Sequence, residues 1–273
     1  MKTPEQLLLM RRAGLVTGQI LETVCRAAVP GVSTLELDAL AREGIAAAGA
    51  KSSFLGYGGS GGVPFPAVIC ASVNDQVVHG IPDDVPLAEG DLLSIDFGVE
   101  LDGWHGDSAR TVEIGVCSAE RSALNEATRV AMWDGIAAMR AGGRVGDIGA
   151  AVQASLGRAA GGRRYGIVRE YTGHGIGTAM HMEPSVPNLG RRGQGERLGV
   201  GMCLAVEPMA TTGRPAVAEL DDDWTVVTRD GSAAAHWEHS VAIMDGGLWV
   251  LTALDGGAAE LGARGVRVVA LGE

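Results

Sequence analysis

The length, composition and charge of the chain exclude several classes of protein. Its 273 residues, 46% hydrophobic and 20% charged, can bury a large core, which excludes a disordered chain and a disulfide-stapled peptide. A formal net charge of −11 without a basic run argues against nucleic-acid binding and against a membrane surface. The four cysteines form no C-x-x-C pair, and no apolar run is long enough for a signal peptide or a membrane span. We therefore expect a cytoplasmic protein.

The N-terminal region predicts two helices. Thr3 and Gln6 are placed as a capping box around a proline, and apolar residues follow at helical spacing until Pro30. Ser33 and Glu36 repeat the capping pattern at the start of a second helix. The chain thus opens with two helices.

The next region predicts strands. The run AVICASV reads as a strand that enters a turn at Asn74. Apolar and small or polar residues then alternate on either side of a turn containing Gly103, which predicts a β-hairpin over 91–116. Each arm of this hairpin carries an acid inside apolar sequence, Asp96 on the first and Asp107 on the second.

The second half repeats this order of elements. Helices are predicted from Ser118 to about Arg140 and from Asp147 to Ala160. Strands follow in MCLAVEPMATT, WTVVT and HWEHSVAIM. The order helix, helix, hairpin therefore occurs twice, which suggests a weak internal duplication. Because no linker separates the halves, we expect one catalytic domain over 1–273.

Two short motifs point to functions that their surroundings exclude. Asp96-Phe97-Gly98 occurs in protein kinases, but the chain has no phosphate-covering glycine loop and no H-R-D sequence. The glycine-rich sequence from Gly173 to Gly177 lacks the lysine and hydroxyl of a phosphate-binding loop. Neither kinase activity nor nucleotide binding is supported.

Four acids lie within apolar strand sequence, where a carboxylate is costly to bury. They are Asp96, Asp107, Glu207 and Glu238. If the strands share a sheet, like charges about 4 Å apart repel by about 4 kcal/mol per pair at an effective dielectric of 20. Arg110 is the only base nearby in sequence, whereas two divalent cations supply four positive charges. Carboxylates with one imidazole suit Mn, Fe, Co or Zn, and paired metals catalyse hydrolysis.

The histidines divide by their surroundings. His174 lies in the glycine-rich loop, which leaves its ring little to pack on and favours a ligand role. His79 and His181 fit roles in holding substrate or donating hydrogen bonds to an oxyanion. We assign no role to three others, which are His105, His236 and His239.

Several of these segments, in this order and spacing, resemble the type I methionine aminopeptidases. They are VVHGIPDD, IDFGVELDGWHGD, GHGIG, HMEP, AVEPM and HWEHSVAI. The resemblance runs from Lys2 to about Asp245. It implies the pita-bread fold, an α+β architecture in which a pseudo-two-fold antiparallel sheet carries helices on its outer face.

The resemblance also implies a site and an activity. Two divalent metals would be held by Asp96, Asp107, His174, Glu207 and Glu238, with Asp107 and Glu238 bridging both. His79 and His181 would contact the substrate. The chemistry of such a site makes Glu207 the general base, because a carboxylate on the metal can accept the proton of the attacking water, and lets His181 stabilise the oxyanion and His79 bond the peptide. The methionine pocket would be lined by Tyr57, Cys70 and Trp224. The expected activity removes the N-terminal methionine of newly made polypeptides with a small second residue, at the ribosome in this family, and we expect a monomer.

The chain departs from the family pattern around the pocket. Met180 stands where phenylalanine is common, and Phe54 stands where a pocket cysteine is frequent. The loop from Gly56 to Pro66 is longer than in compact members, and we expect it to cover the site. Two alternatives are a pita-bread peptidase that cuts before proline and a non-catalytic binding protein, although the second should have lost a ligand position.

Overall fold

A computed structural model describes residues 1–58, 62–159 and 164–272 as a chain of five helices and fifteen strands. The helices are α1 (Pro4–Ala27), α2 (Thr34–Ala47), α3 (Ala119–Ala137), α4 (Val145–Ala159) and α5 (Ala258–Ala263). The strands of the first half are β1 (Lys51–Ser52), β2 (Ile69–Val73), β3 (Gln76–Val78), β4 (Leu92–Leu101) and β5 (Trp104–Glu113). Those of the second half are β6 (Gly166–Ile167), β7 (Gly173–Gly175), β8 (Met182–Val186), β9 (Cys203–Val206), β10 (Met209–Thr211), β11 (Val217–Glu219), β12 (Val226–Thr228), β13 (Ala234–His236), β14 (His239–Met244) and β15 (Gly247–Val250).

The helix starts follow their capping signals. Thr3 and Gln6 form a reciprocal capping box at α1, and Ser33 and Glu36 form another at α2, so both predictions are confirmed. The predicted helix after Ser118 is also confirmed, although α3 ends three residues early. The last predicted residue of the fourth helix, 160, lies outside the described residues. All four cysteines are free.

The first half builds a sheet around the predicted hairpin. Strands β4 and β5 pair antiparallel along their whole length, and β1 and β2 share the other edge of β4. Alternate residues of β4, including Ile95 and Phe97, are buried in a core that α1 and α2 cover with Val24 and Leu37. The hairpin is thereby fixed in register, because a one-residue slip would turn this apolar face outward.

The second half departs from the prediction in its long strands. MCLAVEPMATT is divided into β9 and β10, and HWEHSVAIM is divided into β13 and β14. Val206 pairs with His239 and Met209 pairs with His236, so the two breaks lie opposite each other. Pro208 contributes to the break because it has no N–H to donate to a ladder. The predicted unbroken strands were wrong at these two points.

The order of elements repeats between the halves. Two helices precede the β4–β5 hairpin, and two helices precede the paired strands β9–β10 and β13–β14. Helices and antiparallel strands together give the expected α+β class. No helix in the described part of the chain is both long enough and apolar enough to cross a membrane.

Two glycines, one in α1 and one in α4, test how closely α1 packs against the backbone of Leu251. A Cβ on Gly14 would lie 2.4 Å from the carbonyl oxygen of Leu251, whereas one on Gly157 in α4 would meet nothing within 4 Å. We expect Gly14→Ala to lower the free energy of unfolding by about 1–3 kcal/mol, because backbone must move to relieve the overlap. The control, Gly157→Ala, should raise it by about 0.5–1 kcal/mol. Urea denaturation measures both, and equal effects would contradict the packing argument.

Candidate metal centre

One cavity of about 160 Å³ is lined by every residue that the sequence analysis assigned to the site. These residues are Tyr57, Cys70, His79, Asp96, Asp107, His174, His181, Glu207, Trp224 and Glu238. Phe54 and Met180, where the chain departs from the family pattern, line it as well. Residues separated by up to 184 positions in the sequence, from Phe54 to Glu238, thus meet in one place.

The hairpin supplies two of the four carboxylates. Asp107 pairs with Gly98 across the hairpin, and Asp96 lies two residues from Gly98 on β4. Both aspartates therefore project from the same face of the sheet as diagonal neighbours. A Cβ on Gly98 would lie 3.2 Å from Oδ1 of Asp107, so the glycine leaves space for the carboxylate.

The breaks in the second-half strands supply the other two carboxylates. Glu207 follows β9, and Glu238 lies between β13 and β14. The N–H of Glu238 donates to the carbonyl oxygen of Ala109 (2.9 Å), and the N–H of Ala109 donates to that of Glu238 (3.3 Å). This exchange joins the two halves beside Asp107. The break is thus the feature that brings the glutamates to the aspartates.

His174 is oriented as a metal ligand. Its Nδ1 lies 2.9 Å from the carbonyl oxygen of Gly175 and must carry the proton in that bond. The unprotonated Nε2 then faces Oδ2 of Asp107 at 3.6 Å and Oε1 of Glu207 at 3.4 Å. A Cβ on Gly173 would lie 2.3 Å from the carbonyl oxygen of Ala205, so the loop needs its glycine.

The carboxylates are buried, and their basic neighbours among the described ion pairs are imidazoles, not arginine or lysine. Burial and mutual repulsion raise the pKa of Asp96, Glu207 and Glu238 well above their usual range. Burial raises the pKa of Asp107 to about 7. Arg110, the base nearest in sequence, is paired with Glu22 instead.

Unsatisfied oxygen atoms provide a direct test of fit to a cation. Within the described ranges, Asp96 Oδ1, Asp107 Oδ1 and Glu238 Oε1 are buried with no hydrogen-bond donor. Ligand atoms of Asp107, His174 and Glu238 lie within 4.8 Å of one another. Oxygen donors with one imidazole are a ligand set for divalent transition metals. The residues present therefore fit a divalent metal centre.

An apolar wall flanks the carboxylates. Phe54, Phe65, Cys70, Met180 and Trp224 are buried together. The rings of Phe65 and Trp224 meet edge to face at 5.0 Å between centroids. The sequence analysis missed Phe65, whose only local signal is its position in the Gly- and Pro-rich segment before β2.

The predicted covering loop is described only in part. Residues 59–61 of the Gly56–Pro66 loop lie outside the described residues. Tyr57 and Phe65, on either side of them, both line the cavity. The indole N–H of Trp224 donates to the carbonyl oxygen of Val63 at 3.0 Å. This loop therefore contributes to the cavity wall in the part that is described.

Two further histidines, His79 and His181, line the same cavity. The hydroxyl of Tyr57 lies 2.7 Å from Nδ1 of His181. The ring of His79 meets Tyr171 edge to face at 5.4 Å. Burial, and then the neighbouring imidazole, lowers the pKa of both histidines to about 4, so both rings are neutral at pH 7. The sequence analysis also missed Tyr171, which has no motif around it.

Comparisons with known proteins agree with this geometry. Residues 8–245 match metallopeptidase family M24. Methionine aminopeptidase 1 of Mycobacterium tuberculosis is 51% identical over 247 residues, covering 89% of this chain and 91% of that protein. The crystal structure of methionine aminopeptidase from Rickettsia prowazekii superimposes with a TM-score of 0.88 at 38% identity, covering 93% of this chain and 99% of that one. Prolidase from Pyrococcus furiosus, with 18% identity, a TM-score of 0.71 and coverage of 93% and 65%, shares the fold alone.

The fold and the site together define a metallopeptidase of the pita-bread fold. The fold predicted from the sequence is thereby confirmed. The chain belongs to metallopeptidase family M24 and, within it, to the methionine aminopeptidases.

The raised pKa of Asp107 predicts how the stability of the metal-free protein depends on pH. Because the pKa of Asp107 rises from 3.8 to about 7 on folding, its proton is bound more tightly by the folded state. Its contribution to stability is therefore present below about pH 4 and is lost as the pH rises toward 7. In EDTA, we expect the Tm of the Asp107→Asn variant to rise relative to the Tm of the parent protein as the pH increases over this interval. Calorimetry at pH 4 to 8 checks this, and a pH-independent difference would contradict it.

Proposed function

We propose that this chain removes the N-terminal methionine from polypeptides by metal-dependent hydrolysis of the first peptide bond. The observation that carries the proposal is a cluster of four buried carboxylates and one imidazole beside an apolar, aromatic wall in one cavity. An adaptable apolar wall suits the unbranched thioether side chain. The relative from Mycobacterium tuberculosis, named a methionine aminopeptidase, supports the same activity.

The proposed cofactor is a pair of divalent cations. Asp96, Asp107, His174, Glu207 and Glu238 would hold them, with Asp107 and Glu238 shared between the two. Such ions, when bound, activate water and polarise the scissile carbonyl. The donor set is compatible with Co, Mn, Fe or Zn, and metal availability selects among them.

The chain's own residues would handle the proton and the peptide. Glu207 would accept the proton of the attacking water, because a carboxylate that holds the metal would be within reach of the water bound there. If Tyr57 donates to Nδ1 of His181, then Nε2 of that ring carries a proton and can donate to the oxyanion. His79, neutral at pH 7, would bond the peptide around the scissile bond.

Both halves of the chain are needed for this chemistry. The β4–β5 hairpin contributes Asp96 and Asp107, whereas His174, Glu207 and Glu238 come from the second half. Neither half holds a complete ligand set. We therefore propose that residues 1–273 form a single catalytic domain that works as a monomer.

The proposed physiological substrates are newly made polypeptides. The apolar wall would take the side chain of the first residue, and the free α-amine would bind beside the metal-holding carboxylates, which would restrict cleavage to the first peptide bond. Nascent chains expose such N-termini during synthesis, so the proposed place of work is the cytoplasm, at or near the ribosome. No observation favours cleavage before proline, and a non-catalytic role is disfavoured because all five ligand positions are filled.

Metal content and methionine release test the proposal together. We expect purified protein to bind two equivalents of metal and to release methionine from Met-Ala-Ser far faster than alanine from Ala-Pro peptides. Asp107→Asn should lower kcat by at least about 100-fold, because it removes a proposed bridging carboxylate. Asp102→Asn, on the exposed turn of the same hairpin, is the matched control. Full activity of Asp107→Asn after EDTA treatment would overturn the mechanism.

The second substrate residue should be restricted to small side chains. The cavity has a volume of only about 160 Å³ and is lined by Tyr171, Met209 and His79 as well as by the carboxylates, which leaves little space beyond the scissile bond. We expect kcat/KM for Met-Ala-Ser to exceed that for Met-Lys-Ser and Met-Trp-Ser by about 100-fold or more, since a misplaced peptide loses its alignment for attack. Rapid cleavage of the bulky peptides would contradict this.

A further inference from the structure

The buried imidazole of His236 lies beside Glu207 and has no role in the proposed mechanism. His236 is only 1% exposed, and neither of its ring nitrogens has a hydrogen-bond partner within the described part of the chain. Buried polar groups are ordinarily paired, and an unmade hydrogen bond costs free energy. An apolar side chain of similar size would fill the same space without that cost. The imidazole therefore calls for an explanation beyond packing.

The main chain of His236 is held in place by the hairpin. Its N–H donates to Oγ1 of Thr111 at 2.9 Å, and the same hydroxyl donates to its carbonyl oxygen at 2.8 Å. Oγ of Ser94 lies 2.8 Å from Oγ1 of Thr111 and completes this buried hydroxyl pair. The backbone that carries the ring is thus fixed at the last residue of β13, directly before the break that contains Glu238.

The two oxygens of Glu207 face two different imidazoles. Oε1 lies 3.4 Å from Nε2 of His174, and Oε2 lies 3.8 Å from Nε2 of His236. The Nε2 atom of His174 offers a lone pair, because its Nδ1 carries the proton. Oε1 is therefore on the side of the metal ligand, and Oε2 is on the side of the unpaired ring.

We propose that His236 is a positioning residue for Glu207, an inference that rests on the proposed function. Its Nε2–H donates a hydrogen bond to Oε2, which turns Oε1 toward His174 and the cation position. The separation of 3.8 Å closes by a small rotation of either side chain, since bonds of this kind tighten when the site is loaded. Partners of metal-ligating carboxylates act in this way to fix the ligand's orientation.

Matched substitutions separate this role from packing. His236→Leu keeps the volume and removes the donor, whereas His236→Gln keeps an N–H donor. We expect His236→Leu to weaken Mn²⁺ binding, measured by titration calorimetry, and to lower kcat by about 10- to 100-fold, with KM for Met-Ala-Ser changed far less. His236→Gln should recover most of both losses. His105→Leu, whose ring bonds Ser53 instead, should leave Mn²⁺ affinity unchanged.

The unsubstituted protein provides a second measurement that does not depend on variants folding. In the Zn²⁺-loaded protein, long-range ¹H–¹⁵N spectra should show the Nε2–H tautomer of His236. The Nδ1–H tautomer would overturn the proposal, as would parental Mn²⁺ affinity in His236→Leu. Failure of the parent protein to release methionine would instead overturn the proposed function, while the tautomer and the Mn²⁺ titration would still decide the role of His236.

Discussion

Repulsion among four buried carboxylates is the constraint on which the rest of this structure depends. Asp96, Asp107, Glu207 and Glu238 share one cavity, and two ionised carboxylates about 4 Å apart repel by about 4 kcal/mol at an effective dielectric of 20. Hydrogen bonds cannot remove this cost, because several of the oxygens have no donor among the described residues. Divalent cations held by these residues would remove it, and the same positive charge would supply the activation of water. Stability and catalysis thus draw on one interaction.

The strand breaks interrupt the regular sheet at the two glutamates, which must reach the aspartates. A continuous β9–β10 strand would send Glu207 to one face or the other and would pair its backbone fully. The break frees the backbone around Glu207 and Glu238 while Val206 and Met209 on either side remain paired. Glu238 then exchanges its main-chain bonds with Ala109 of the hairpin. The acids of the two halves meet because the ladder is interrupted at matching points.

Features encoded over a few residues were predictable from the sequence, whereas features encoded by distant contacts were not. The capping boxes at Thr3 and Ser33 and the hairpin around Gly103 depend on neighbouring residues, and all were found. The strand breaks depend on pairing between strands about 30 residues apart. Phe65 and His236 acquire their surroundings only when the two halves close, so no local pattern marks them. The convergence of the predicted acids was inferred from their chemistry, which is a constraint that acts at any sequence distance.

The apolar wall and the carboxylate cluster share one face of the first-half sheet. Cys70 of the apolar wall pairs with Asp96 across β2 and β4. Gly98 is flanked by the Phe54 ring on one side and the Asp107 carboxylate on the other, at 3.0 Å and 3.2 Å from where its Cβ would lie. The apolar wall and the carboxylates therefore approach the same glycine of β4, on the strand that also carries Asp96. A substitution at Phe54 would act on the wall and, through Gly98, on the strand that holds the carboxylates in place.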